Sequence, residues 1–93
     1  MGKPAVSRGY WVYLLECADK TLYTGWTVEP HARLRAHNSG QGAKYTRTRL
    51  PVRMVYLESC PDRRTAMQRE AAIKQLTRAQ KKRLIAKGSE TSP

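Results

Sequence analysis

The pattern of hydrophobic and polar residues begins with two apolar stretches that are separated by a polar break. The first, residues 10–17, is apolar at both odd and even positions, which is typical of a strand in the centre of a sheet. The second, residues 22–26, follows the break at residues 18–20 and includes Gly25, where the backbone can bend or approach another group closely. Together the two stretches predict a β-hairpin.

Helix signals follow the hairpin. Pro30 suits the first position of a helix, with Glu29 as its cap, and the helix should end near residues 39–40. The segment 40–51 carries glycines and basic residues, and it predicts a surface loop of a kind that often contacts ligands.

A third strand and another helix come next. Residues 52–59 alternate as a strand does, with one face formed by Val52, Met54 and Tyr56. Asp62 then caps a helix over residues 63–76. The apolar stripe of that helix consists of Ala66, Met67, Ile73 and Leu76.

A capping box opens the last helix. Thr77 and Gln80 have its spacing, and Gly88 ends the helix. The order of elements is therefore β-β-α-β-α-α, an α+β class. We expect a single domain over residues 9–88, between a flexible arm (1–8) and a disordered tail (89–93).

The charge of the chain narrows the functional classes. Its 93 residues carry 18 lysines and arginines against 7 acidic residues, a net charge of +11 that favours an anionic partner, with nucleic acid the leading candidate. A charge excess that only keeps the protein in solution is the alternative. A membrane-surface role would need a clean basic amphipathic helix, which the sequence lacks.

Compartment and redox state follow from what the sequence does not contain. It has no apolar run long enough for a transmembrane helix, and residues 1–7 lack the apolar stretch of a secretory signal, so we expect a cytoplasmic protein with no membrane partner. Cys17 and Cys60 fall at the ends of strands that antiparallel pairing would hold far apart. We therefore expect buried free thiols and no zinc site.

Glu70 is a carboxylate on or beside the apolar stripe of the second helix, where an unpaired charge would be costly. One interpretation is an ion pair with Lys74, four residues further on. The other is a ligand for Mg²⁺, which carboxylates, phosphates and waters hold together. Position alone favours the ion pair.

Arg33 and His37 are four residues apart and share one face of the first helix. Arg33 either covers the surface or binds a scissile phosphate through two parallel hydrogen bonds. His37, Tyr13 and Tyr56 taken singly are ordinary helix and strand residues. Basic residues around Tyr45 have the composition of a loop that tracks phosphates and stacks on bases, and equally that of a solvated loop: Lys44, Arg47, Arg49 and Arg53.

Several short motifs, in this order along the chain, resemble those of the GIY-YIG nuclease family. They are Val12-Tyr13, Tyr23-Thr24-Gly25, Arg33 with His37-Asn38, Gly42-Ala43-Lys44-Tyr45-Thr46, and Arg69-Glu70 with Ile73-Lys74. Trp11 stands where the family's first glycine usually is, and Thr24 where isoleucine is commoner. The resemblance covers residues 10 to about 87. It is strongest to the small bacterial stand-alone members (YhbQ/UPF0213 type), which are akin to the Slx1 catalytic domain.

The resemblance implies a GIY-YIG fold, in which helices flank a three-stranded antiparallel sheet, and an endonuclease acting on DNA with one Mg²⁺ or Mn²⁺ ion. By it, Tyr23 would be the general base or would position the water, Tyr13 would orient the site, and Arg33 would bind the attacked phosphate. Glu70 would hold the metal, and His37 would lie near the reacting phosphate. Nearby cations would favour the phenolate of the base.

Nucleic-acid contacts are expected from the basic loop and the last two helices. The candidates are Lys44, Tyr45, Arg47, Arg49, Lys74, Lys81, Lys82 and Arg83. Single-stranded and branched DNA are both compatible substrates, with a role in DNA repair or recombination and with a protein partner for targeting.

A second hypothesis belongs to another class. Many family members carry an asparagine a few turns after the metal-binding glutamate, and residues 78–86 contain none. This favours a nucleic-acid-binding module that kept the fold and lost useful catalysis. The presence of Tyr13, Tyr23, Arg33 and Glu70 favours the nuclease instead.

The hairpin loop decides whether the two tyrosines share a face. A two-residue loop at Asp19-Lys20 would pair Tyr23 with Glu16 and turn it away from Tyr13. A shared site therefore requires an odd loop, such as residues 18–20, or a bulge.

Overall fold

A computed structural model describes residues 9–88. The described chain forms β1 Tyr10–Glu16, β2 Leu22–Thr27, α1 Pro30–Asn38, α2 Lys44–Arg47, β3 Arg53–Cys60, α3 Arg63–Lys74 and α4 Arg78–Lys87. The strands form one antiparallel sheet in the order β2-β1-β3, so the α+β class and the central position of β1 are confirmed. The predicted arm (1–8) and tail (89–93) lie outside the described residues.

A three-residue loop joins β1 to β2. The Cys17 amide donates to the Thr21 carbonyl and the Lys20 amide to the Cys17 carbonyl, each at 2.9 Å, which leaves residues 18–20 as the loop. Lys20 has a φ of 71°, the left-handed conformation that closes hairpin loops of this length.

This odd loop sets the register of the hairpin. Tyr13 pairs with Gly25, and Leu15 pairs with Tyr23. Directly paired residues lie on the same face of a sheet, and Leu15 is two positions from Tyr13, so the rings of Tyr13 and Tyr23 share a face. The condition that the sequence set for a shared site is therefore met.

The sheet separates two hydrophobic clusters. On one face β1 and β3 pack with α1, and the buried members are Tyr13, Leu15, Cys17 and Val52, with Leu34 of α1 packed against them. The other face packs with α3 and α4, and its buried members are Val12, Leu14, Tyr56, Cys60, Ala66 and Ile73. The two cysteines are free and buried on opposite faces, as expected.

β3 departs from the predicted alternation. Its pairing with β1 shifts so that Tyr56 is opposite Leu14 while Met54 is opposite Leu15, which makes Val55 the extra residue of a β-bulge. Met54 therefore belongs to the α1 face and Tyr56 to the α3 face. The prediction that the two share one face is wrong.

Two other predictions need correction. The segment predicted as a surface loop contains the one-turn helix α2. Met67 is 47% exposed, because α3 turns its Ala66–Ile73 side to the sheet, and it does not belong to the apolar stripe. The capping box of α4 is confirmed: the Thr77 hydroxyl accepts from the Gln80 amide, and the Gln80 side chain accepts from the Thr77 amide.

None of the helices within residues 9–88 has the length and apolar character needed to span a bilayer.

Candidate active site

The hydroxyl of Tyr13 lies 3.0 Å from Nε2 of His37, between β1 and α1. Both side chains are almost completely buried, at 1% and 0% exposure. α1 packs on this face of the sheet because Leu34, one turn before His37, joins the cluster of Tyr13 and Leu15. The fold thus brings together two candidate residues from separate motifs.

A second hydrogen bond fixes the tautomer of His37. Its Nδ1 lies 2.8 Å from Oγ1 of Thr46, and the Thr46 hydroxyl donates to the Ala43 carbonyl at 3.0 Å. A hydroxyl has a single proton, so Thr46 Oγ1 accepts from an Nδ1–H group. His37 Nε2 is then unprotonated, and Tyr13 donates its hydroxyl proton to it.

Thr46 is a site residue that reading the sequence did not single out. It is fully buried. The one indication in the sequence was that Thr46 belongs to the Gly42–Thr46 motif. Nothing in the spacing shows that α2 forms and presents this hydroxyl to His37.

Burial favours the neutral forms of both groups. It raises the pKa of the Tyr13 phenol, although the adjacent Arg33 guanidinium lowers that pKa; the charges of Tyr23 and Glu70 raise it further. Burial also lowers the pKa of His37, as does the charge of Arg33. For Tyr13, the effect of burial is larger than that of Arg33 and favours the protonated phenol. The expectation that cations favour a phenolate concerned the base, which the resemblance placed at Tyr23, and it stays a prediction.

Tyr23 and Arg33 border the buried pair. The Tyr23 ring meets the His37 ring edge-on with centroids 5.3 Å apart, and it stacks on Tyr45 at 5.9 Å. Arg33 lies on α1 one turn before His37 and is close enough to change the pKa of both Tyr13 and His37. A guanidinium beside a phenol is a suitable contact for a phosphate oxygen.

Glu70 comes to the site from α3. Its Oε2 is 3.5 Å from Nζ of Lys74, so the predicted ion pair is present, and the carboxylate is 20% exposed. Its charge contributes to the raised pKa of Tyr13. Arg69, the preceding residue, holds α3 to β3 through Glu58, with Nε 2.8 Å from Oε2. This ion pair orients the helix that carries Glu70.

Glu70 is also the candidate ligand for a metal ion. Within residues 9–88, no three His, Cys, Asp or Glu side chains are grouped to hold one. Mg²⁺ needs less than such a group, because it retains several waters and takes one or two carboxylates with substrate phosphates. A single partly exposed Glu70 fits that requirement, and it does not fit a metal held by protein ligands alone.

Two glycines allow the close packing of this cluster. A Cβ on Gly25 would lie 2.5 Å from the Tyr13 hydroxyl oxygen. A Cβ on Gly42 would overlap the ring and Cα of His37. Each motif therefore has glycine where a catalytic candidate approaches the backbone.

The candidate nucleic-acid residues fall into separate groups. Tyr45 is 38% exposed, and the guanidinium of Arg49 lies over its ring at 3.9 Å while pairing with Asp19 at 3.1 Å. Lys81 lines a cavity together with Tyr45, whereas Lys82 lines another beside Glu16. The remaining candidates, all of them exposed, are Lys44, Arg47, Lys74 and Arg83.

Comparisons with known proteins show which family the chain resembles in sequence. Residues 9–83 match the model of the GIY-YIG catalytic domain. A UPF0213 protein of Syntrophus aciditrophicus is 52% identical over 86 residues, which cover 91% of this chain and 98% of that protein. A UPF0213 protein of Clostridium perfringens is 53% identical over 79 residues, covering 85% of each.

Solved structures give the same assignment. The solution structure of a protein from E. faecalis superposes with a TM-score of 0.59 at 44% identity, covering 86% of this chain and 85% of the other. That of a UPF0213 protein from Bacillus halodurans gives 0.54 at 43% identity, covering 83% and 82%. The motifs, the sheet and the relatives agree, and the chain belongs to the GIY-YIG nuclease family, among its UPF0213 proteins.

Proposed function

We propose that this protein is a divalent-metal-dependent endonuclease that hydrolyses phosphodiester bonds in DNA, with Tyr13 as the group that takes the proton of the attacking water. The observation that carries the proposal is the series of hydrogen bonds from Tyr13 through His37 to Thr46, beside Arg33. It gives a neutral tyrosine a route for passing on its own proton.

The proton moves in one concerted direction. As the water oxygen bonds to phosphorus, its proton passes to the Tyr13 oxygen, and the Tyr13 proton passes to Nε2 of His37. The leaving oxygen departs with the electrons of the broken P–O bond. Because the raised pKa of Tyr13 disfavours a resting phenolate and the lowered pKa of His37 disfavours a resting imidazolium, both transfers would occur only together with the attack of the water.

The base differs from the one that the family resemblance implied. That role was expected for Tyr23, whose ring contacts His37 through its edge. The hydrogen bond to His37 is made by Tyr13, so the proposal gives the proton transfer to Tyr13 and leaves Tyr23 to orient the substrate.

Arg33 and Glu70 complete the proposed site. Arg33 binds the attacked phosphate and offsets the charge that develops on it. Glu70 would hold Mg²⁺ or Mn²⁺, exchanging its contact with Lys74 for one with the ion. When bound, the ion would neutralise charge on the pentavalent phosphorus and the leaving oxygen.

A nucleic-acid-binding module without useful catalysis is the second candidate. It is favoured by the Glu70–Lys74 ion pair, which uses the carboxylate within the protein, and by the lack of asparagine in residues 78–86. Both candidates predict binding that weakens steeply with salt, because basic side chains displace counterions from phosphates.

Cleavage assays on single-stranded, duplex and branched DNA, with Mg²⁺ and with EDTA, separate the two. We expect cleavage in Mg²⁺ and none in EDTA. In Glu70→Gln the cleavage rate should fall by at least about a hundredfold, while DNA affinity in EDTA is unchanged or slightly higher. Arg64→Gln, which removes an exposed charge from the same helix, is the control. Full metal-dependent cleavage by a folded Glu70→Gln protein would exclude Glu70 as the metal ligand.

A further inference from the structure

A basic cavity lies beside the catalytic cluster, between the hairpin and α4. It has a volume of about 170 Å³ and is lined by Thr21, Leu22, Tyr45, Arg78 and Lys81. We propose that this cavity is a second phosphate subsite, which takes a phosphodiester of the substrate strand adjacent to the one attacked at Arg33. The inference rests on the proposed function, because it assumes that the ligand is a polynucleotide.

The lining residues suit an anion. Two of them are cations and none is acidic. Nη1 of Arg78 donates to the Lys20 carbonyl at 2.8 Å, which fixes the guanidinium against the hairpin loop and leaves its other N–H groups for a ligand. The half-buried Lys81 has no hydrogen-bond or ion-pair acceptor in the described part of the chain. An ammonium that has no acceptor within the protein is free to bind a phosphate oxygen.

Neighbouring cavities lack this character. Lys82, the next residue of α4, lines a cavity that contains Glu16 and Arg53. A third cavity, beside Lys20, contains the same two residues. Glu16 and Arg53 pair at 2.8 Å, so in each of these cavities the guanidinium is already bound to a carboxylate of the protein.

One ring connects the subsite to the catalytic cluster. Tyr45 lines the cavity and also stacks on Tyr23, whose ring contacts His37. A strand with its scissile phosphate at Arg33 would therefore pass Tyr23 and the partly exposed Tyr45 before its next phosphates reach Arg78 and Lys81. Cations at both ends of this path would hold the strand at two phosphates.

Neutral phosphates test the subsite. Binding is measured in EDTA with a labelled single-stranded oligonucleotide that carries one methylphosphonate, placed at each position in turn. For the wild-type protein we expect, besides the scissile phosphate bound at Arg33, one nearby position to weaken binding about five- to tenfold. In Lys81→Gln the same position should have no further effect, and Lys81→Arg should restore it. Lys87→Gln, which removes an exposed charge from the same helix, should behave as wild type.

Other outcomes overturn the inference. One is that the effect of the methylphosphonate at each position is the same in Lys81→Gln as in the wild type; another is that Lys81→Gln loses no more affinity than Lys87→Gln. A third is that inorganic phosphate displaces the oligonucleotide at a concentration similar to that of the oligonucleotide, which would mean a site for free anions. If the protein cleaves DNA but Lys81→Gln leaves the methylphosphonate effect in place, only the subsite is contradicted. If Lys81→Gln removes that effect but the protein does not cleave DNA, the nuclease proposal is contradicted and the subsite is retained.

Discussion

Thr46 determines which nitrogen of His37 carries the proton, because its Oγ1 accepts the Nδ1–H hydrogen bond at 2.8 Å while its own proton goes to the Ala43 carbonyl. The proposed proton transfer needs this tautomer. A residue remote from the substrate therefore controls the direction of the Tyr13 hydroxyl.

Thr46→Val should lower cleavage without removing any group that contacts substrate. The change leaves the buried Nδ1–H without an acceptor, which should cost about 1–3 kcal/mol of stability and release the tautomer. Thr46→Ser keeps the hydroxyl and serves as the control. Cleavage rates and urea unfolding of the two variants check this; equal rates would mean that the tautomer does not matter.

The burial of His37 predicts a pH dependence of stability. Its pKa lies below the ordinary value of 6.5, so as pH falls through that value the unfolded chain binds a proton that the folded protein does not. The free energy of unfolding should therefore decrease between about pH 7 and about pH 5.5, before most carboxylates titrate. Urea unfolding should show a smaller decrease in His37→Gln and the wild-type decrease in His31→Gln, which alters an exposed histidine. If the free energy of unfolding decreased equally with falling pH in all three proteins, the lowered pKa of His37 would be contradicted.

Gly25→Ala should displace the Tyr13 hydroxyl. The new Cβ would lie 2.5 Å from that oxygen and 2.6 Å from Cζ, and the buried ring has little room to move. We expect a loss of about 1–3 kcal/mol in stability and a fall in cleavage. Gly40→Ala, where a Cβ meets nothing within 4 Å but φ is +85°, should lose stability through backbone strain and keep the wild-type cleavage rate, which separates a loss of stability from displacement of the Tyr13 hydroxyl. Cleavage at the wild-type rate by Gly25→Ala would show that the hydroxyl position is not critical.

Thr24→Val should stabilise the protein. The side chain is 3% exposed, and its hydroxyl has no hydrogen-bond partner among residues 9–88. Valine has the same shape without the buried hydroxyl, so the free energy of unfolding should rise by about 1 kcal/mol. The same substitution at Thr46 should do the opposite. A destabilised Thr24→Val protein would mean that the hydroxyl has a partner in solution.

The sequence predicted the features that depend on neighbouring residues. Apolar residues at both odd and even positions indicated the central β1, Pro30 indicated the start of α1, and the spacing of Thr77 and Gln80 indicated the capping box. From the sequence, Tyr13 and Tyr23 can share a face only if the hairpin loop has an odd number of residues or the hairpin contains a bulge. The observed register meets this condition.

The features that it missed depend on contacts between distant segments. α2 is held where Arg49 donates to the Tyr45 carbonyl and pairs with Asp19 of the hairpin loop, and no local propensity reports such contacts. The bulge at Val55 arises from pairing with β1. Spacing likewise could not tell which of two tyrosines on one face reaches His37.

Matched hydroxyl deletions at the two tyrosines test the central proposal most directly. Tyr13→Phe and Tyr23→Phe both keep the ring, and single-turnover cleavage with Mg²⁺ is compared with DNA affinity in EDTA. We predict that Tyr13→Phe loses about 10²- to 10⁴-fold in rate with affinity unchanged, the range expected for a lost general base, and that Tyr23→Phe loses much less. A near wild-type rate for Tyr13→Phe, or a larger loss for Tyr23→Phe, would contradict the assignment of the proton transfer to Tyr13.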